Sequence, residues 1–286
     1  MTLRTLLSAT AALLVAMCSI QSGASLAKQL FPLLGPVGAT TLRLLLAATL
    51  LALLYRPWRG ASLAGQRLVL LGYGGSLGLM NLCYYLALER VPMGIVVALE
   101  FTGPLAVALM ASRRGIDFLW ILLAAAGLLL LLPLAPGNAG LDGLGLALAL
   151  LSGLFWALYI VFGTRAGAVQ GGRSVALGMV VAAFVVLPLG LGSPILTATT
   201  WQPAVLATGL GVALLSSVLP YTMEMWAMQR LPTRTFGIFM SLEPAIATLA
   251  GFLWLGEHLT ALQGLAIVLV MAASLGSAAT ATRAPG

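Results

Sequence analysis

Ten apolar runs, each near twenty residues, fill this chain, and few folds can be built from such a pattern. Breaks at charges, Pro and Gly delimit them at 8–28, 36–55, 68–88, 93–112, 117–135, 144–164, 174–192, 203–228, 235–254 and 260–280. An α-helix needs about 20 mostly apolar residues to cross a bilayer. Of the 286 residues, 61% are hydrophobic and only 7% charged, where a soluble domain carries about 25% charged residues. Lipid tolerates such an exterior, provided that every backbone polar group is paired within the segment. The expected fold class is therefore an all-α polytopic membrane protein of ten transmembrane helices, with connections too short to hold a further domain.

The first run has a second reading. Arg4, the apolar residues 6–20 and the small residues 24–27 also resemble a cleaved signal peptide. A lipoprotein cleavage site before Cys18 wants a small residue where Met17 stands, and removing this helix would leave the first half one span short, so it is kept as a span. Cys18 and Cys83 both fall in apolar runs and suggest neither a disulfide framework nor a metal site.

The net charge of +7 does not point to nucleic acid, because the Lys and Arg are scattered singly or in twos between the runs. They read better as a topology signal. With the N-terminus inside, Arg4, Arg56, Arg59, Arg67, Arg113, Arg114, Arg165, Arg173, Arg230, Arg234 and Arg283 fall on the cytoplasmic side, and only Lys28 and Arg90 outside.

Shifting the chain on itself by 140 residues lays Arg90, Pro92, Pro104 and Asp117 on Arg230, Pro232, Pro244 and Glu257. Coincident Pro, Arg and acidic positions at one offset indicate a duplication, with halves at 1–140 and 141–286. Five spans per half is an odd number, so the second half enters from the opposite side. A 5+5 inverted repeat is a recurring construction of secondary transporters, whose halves rock about a site near the midplane.

A charge at the centre of a spanning helix costs about 2.5–3.5 kcal/mol on insertion scales, which singles out Arg43, Glu100, Glu224 and Glu243. The planar fork of Arg43 suits a carboxylate, from a glutamate partner or from a substrate. Glu100 and Glu243 are candidate proton carriers or ammonium binders, whereas Glu224 lies nearer the aqueous edge. Lys28 is expected to snorkel to water. Pro104, Pro244 and Pro220 cannot donate to the carbonyls of Glu100, Met240 and Ser216, which would expose polar backbone and mark helix breaks.

Tyr84, Tyr85, Trp156, Tyr159, Tyr221 and Trp226 could line a cavity or pack, and Gly74/Gly78 and Gly163/Gly167 have the small-residue spacing of close helix contacts. Nothing supports an enzyme: the chain has no phosphate-cradling Gly-Lys-Ser/Thr loop, and its one histidine, His258, makes neither a metal site nor a triad. No cofactor is expected.

The stretches AMCSIQSGASLAK (16–28), ALEFTGPLAVAL (98–109), LPTRTFG (231–237) and MSLEPA (240–245) resemble the bacterial threonine and homoserine exporters of the EamA branch of the drug/metabolite transporter superfamily. The resemblance extends over nearly the whole chain. It implies a ten-helix carrier of the cell inner membrane that expels threonine, homoserine and similar amino acids, driven by the proton gradient. In that frame a zwitterionic substrate would offer its carboxylate to Arg43 and its ammonium to Glu100 or Glu243, with Tyr84 and Tyr159 among the cavity residues. The alternatives are an exporter of another small metabolite or drug and, from a different class, a membrane scaffold or sensor. Whether the chain pairs as a homodimer is open from sequence.

Overall fold

The computed structural model describes residues 3–59, 66–111, 115–131, 140–170, 172–228, 230–231, 236 and 239–280, all of whose regular elements are helical. Arg113, Arg114, Pro232, Arg234 and Arg283 lie outside these residues, as does the side chain of Arg4.

Ten spans are present. The first three are α1 (Leu3–Lys28), α2 (Phe31–Tyr55) and α3 (Arg67–Leu88). The fourth comes in two pieces, α4 (Met93–Glu100) and α5 (Thr102–Ala111), and the fifth is α6 (Asp117–Leu130). The sixth and seventh are α7 (Gly143–Gln170) and α8 (Gly172–Gly190). The eighth runs through α9 (Pro203–Ala213), a π-turn at Leu214–Val218 and α10 (Leu219–Met228). The ninth ends in α11 (Glu243–Leu255), and the tenth is α12 (Ala261–Thr280). Seven of the spans are each long and apolar enough to cross a membrane, and the remaining three consist of shorter apolar helices.

Local sequence sets the breaks. Gly35 sits at φ 66, a left-handed conformation that glycine adopts without strain, and it bends the entrance of α2 ahead of Pro36. The fourth span breaks at Phe101, three residues before Pro104. Pro244 occupies the first turn of α11, where a missing N–H costs nothing.

The packing repeats between the halves. The third span lies on the sixth as the first lies on the eighth, and the fourth lies on the sixth as the first lies on the ninth. The third against the seventh is matched by the second against the eighth, while the second pairs with the seventh, the fourth with the ninth and the fifth with the tenth. Exchanging each span for the one five places on leaves this pattern unchanged. The halves are thus interleaved rather than side by side.

With no water to expel between helices in lipid, close packing holds them together. A Cβ on Gly74 would come within 2.6 Å of the Gly178 carbonyl, and one on Gly78 within 2.8 Å of the Ala182 carbonyl, so α3 meets α8 backbone to backbone. Gly163 faces the Tyr73 ring; the surroundings of Gly167 are outside the described side chains. At the crossing of α5 on α7, a Cβ on Gly103 would run into the Gly153 carbonyl oxygen.

Charges at the ends of the spans sort by face. Arg173 donates from Nε to the Pro57 carbonyl at 2.6 Å, at the end where α2 finishes and α8 begins. At the other end Lys28 pairs with Glu257 at 2.8 Å, and the second carboxylate oxygen of Glu257 accepts the Met93 N–H at 2.8 Å. Lys28, whose side chain is partly exposed, finds a partner from the opposite half within reach, and this contact joins the first and fourth spans to the loop between the ninth and tenth.

Candidate functional site

One cavity of about 90 Å³ gathers the residues that sequence singled out. Arg43, Tyr84, Glu100, Tyr159 and Glu243 all line it, together with Gln21, Asn81, Trp156, Ser216, Tyr221 and Glu224. They come from the first four spans and from the sixth, eighth and ninth, so both halves supply its walls.

Arg43 is 3% exposed. Its Nη2 donates to the Asn81 side-chain oxygen, Asn81 Nδ2 donates to the Leu77 carbonyl at 2.8 Å, and the guanidinium carbon lies 4.9 Å from the centre of the Tyr85 ring. Its Nε has no protein partner. Neither of the ion pairs Lys28–Glu257 and Arg90–Asp142 involves Arg43. Arg43 is thus held by a neutral amide and an aromatic face, and of the two sequence alternatives the one with a glutamate partner is not what forms.

Glu100 accepts from Ser152 Oγ at 2.6 Å, and the same hydroxyl contacts the Met80 carbonyl oxygen at 2.9 Å. Glu243 accepts from Gln21 Nε2 at 3.2 Å on one oxygen, while its Oε2 has no protein partner. Gln21 also receives the Tyr84 hydroxyl, at 3.4 Å, so one side chain of the first span links the third span to the ninth. Tyr159 stacks on Tyr73 at 4.9 Å between ring centres, and their hydroxyls lie 3.3 Å apart.

Glu224, placed near the aqueous edge from sequence, lies in the cavity wall, and the π-turn explains why. Ser216, Tyr221 and Glu224 stand at i, i+5 and i+8, which an α-helix of about 100° per residue would spread over roughly 140°. A π-turn absorbs one residue and returns them to i, i+4 and i+7 phasing, within about 60° of one another. All three then share the face toward the cavity. The Leu215 carbonyl within the turn is taken up by Ser19 Oγ at 2.6 Å.

The three prolines do not line the cavity. Pro104 was expected to leave a free carbonyl at Glu100 beside the carboxylate; that carbonyl instead lies against the sixth span, where a Cβ on Gly153 would meet it at 2.7 Å. Pro220 follows the π-turn and Pro244 starts α11, so both sit at helix discontinuities. Of the aromatic candidates, Tyr85 supports Arg43 from outside the cavity, and Trp226 packs beneath Arg230 with its ring centre 4.2 Å from the guanidinium carbon. Gln21, Asn81, Ser152 and Ser216 were not singled out; the signal available was an amide or hydroxyl inside an apolar run. Among the described residues no cluster of His, Cys, Asp or Glu could hold a metal ion, and Cys18 and Cys83 are free.

Interleaved membrane helices closing on a small charged cavity define a membrane transporter rather than an enzyme. The chain belongs to the EamA-like transporter family, which matches residues 143–278. It is 52% identical over 273 residues, 96% of this chain and 92% of the relative, to the threonine/homoserine exporter RhtA of Salmonella typhimurium (strain LT2). To the threonine/homoserine exporter RhtA of Escherichia coli (strain K12) it is 53% identical over 268 residues, 94% of this chain and 90% of that one. One solved crystal structure shares the fold with a TM-score of 0.58 and 21% identity, over 94% of this chain and 97% of that chain.

Proposed function

We propose that this chain exports threonine, homoserine and similar small neutral amino acids from the cytoplasm across the cell inner membrane, by proton antiport through alternating access. The observation that carries the reading is one cavity holding Arg43 and the Glu100, Glu224 and Glu243 carboxylates, in a chain about half identical to two threonine/homoserine exporters.

In this proposal the substrate carboxylate takes a charge-assisted contact from the guanidinium of Arg43, which Asn81 and Tyr85 hold in place. The ammonium goes to the unpartnered oxygen of Glu243, with Glu100 as the second carboxylate and Tyr84 and Tyr159 as walls. A carboxylate that binds either an ammonium or a proton, but not both, exchanges one for the other. Such exchange couples export to the inward proton gradient. A volume of about 90 Å³ suits a small solute and falls well below the roughly 300–1,000 Å³ of a drug-sized site.

Alternating access would move the half at 1–140 against that at 141–286, with the breaks near Pro104, Pro220 and Pro244 as the points that yield. The excess of basic residues in the loops of one side supports cytoplasmic N- and C-termini. The residues that line the cavity all belong to one chain.

The test uses everted membrane vesicles containing the full chain, given labelled threonine, homoserine and unrelated amino acids with and without a proton gradient. Gradient-dependent accumulation of the first two is expected. Failure to accumulate any amino acid overturns the reading.

A further inference from the structure

Three polar groups in the cavity wall are buried without a protein partner: Arg43 Nε, Glu243 Oε2 and Ser216 Oγ. Burying such a group unpaired is costly, most of all for a charge. One is a cation, one an anion and one a neutral hydroxyl. A zwitterion with a hydroxyl side chain presents the three complements. The carboxylate and ammonium already have places in the exporter reading, on which this inference rests, and the remaining match is between Ser216 and the side chain.

Ser216 is 4% exposed and sits in the middle of the π-turn. Its neighbour Ser217, 0% exposed and equally without a partner, does not line the cavity. Ser216 is also held in place sterically. A Cβ on Gly23 would lie 2.3 Å from its Oγ, so the first span keeps a glycine where the hydroxyl passes. The backbone around it is fixed by the bond from Ser19 to the Leu215 carbonyl.

We propose that Ser216 is the specificity-determining residue that reads the substrate's side-chain hydroxyl, exchanging a hydrogen bond with it at the wall of the cavity. A site built to bond a hydroxyl disfavours the analogue that lacks one, because its own polar group is then left unpaired. Tyr84 and Tyr159 give walls for the carbon skeleton, whereas the tyrosine hydroxyls are directed to Gln21 and Tyr73.

The experiment compares uptake of threonine and of 2-aminobutyrate, the same skeleton without the hydroxyl, by the full chain in proteoliposomes. The wild type should favour threonine by about five- to tenfold, the worth of one hydrogen bond. Ser216→Ala should bring that ratio close to one by weakening threonine and relieving 2-aminobutyrate, and the folding of the variant is read separately as its unfolding midpoint in detergent. Ser217→Ala should keep the wild-type ratio. A wild type that does not discriminate, or a Ser216→Ala protein that discriminates as well as wild type, overturns the assignment. If Ser216→Ala fails to insert, Ser216→Cys decides: its weaker donor should give an intermediate ratio, and an unchanged one refutes the proposal. A wild type that carries neither amino acid instead sinks the exporter reading beneath it.

Discussion

The fourth and ninth spans hold matching places in the two halves, break near matching prolines and each carry one buried glutamate, yet the glutamates are not equivalent. Shifted by 140 residues, Glu100 falls on Met240, and Glu243 falls on Gly103. In the fourth span the glycine beside the proline is pressed into the sixth span, and the carboxylate lies a turn earlier, bonded to Ser152. In the ninth span the same position carries the carboxylate itself, with one oxygen bonded and the other unpartnered. The break recurs in both spans, whereas the acid stands at a different position in each. Under the proposed function, this difference would give Glu243 to the ligand and Glu100 a more anchored role.

The sharpest way to break that assignment is Glu243→Gln. Gradient-driven threonine uptake in everted vesicles should fall by about a hundredfold, the scale of truncating one partner of a buried charged contact. Uptake near the wild-type rate would end the distinction between the two acids. Next comes the steric difference: Gly103→Ala should lower stability by about 1–3 kcal/mol, read as a lower midpoint of thermal unfolding in detergent. Gly75→Ala, with nothing within 4 Å of the added carbon, is the matched control and should unfold with the wild type. Ser152→Ala, which releases Glu100 without removing it, should slow transport by only about two- to tenfold, one neutral hydrogen bond. A larger loss than in Glu243→Gln would reverse the roles.

The smallest effect is expected outside the membrane. Arg90 donates to Asp142 at 2.8 Å, and with the Leu144 amide it holds that exposed carboxyl below its ordinary value. A carboxyl lowered in the folded state adds stability above its unfolded pKa and loses it as pH falls through the folded one. Asp142→Asn should therefore lower the unfolding midpoint slightly at neutral pH and leave it unchanged in strong acid. A difference that persists in acid would point to lost packing rather than charge.

Most of the fold was legible because lipid penalises every exception. The second span was read from residue 36, and the structure bends at Gly35; the eighth was read as 203–228, and its ends agree. Invisible was the π-turn inside it, since no residue type marks a turn chosen by the helices packed around it. The charged half of the site was legible for the same reason as the spans: Arg43, Glu100 and Glu243 stand out against an apolar background. The neutral half was not, because Gln21, Asn81, Ser152 and Ser216 fit an apolar run at little cost, and their partners lie up to 222 residues away in the chain. Reading Pro104 as the source of an exposed carbonyl failed for a related reason, since α7 covers what the missing N–H frees.

The π-turn has one more consequence, for chain length. Within a continuous α-helix, deleting one residue turns everything downstream by about 100° and would carry cavity residues toward lipid. Between Leu214 and Val218 the helix already holds one residue more than its phase requires. Deleting Val218 should let the span close into a continuous α-helix with Ser216, Tyr221 and Glu224 at i, i+4 and i+7 on one face. The eighth span should then accept a single-residue deletion at this turn with its wall of the cavity intact.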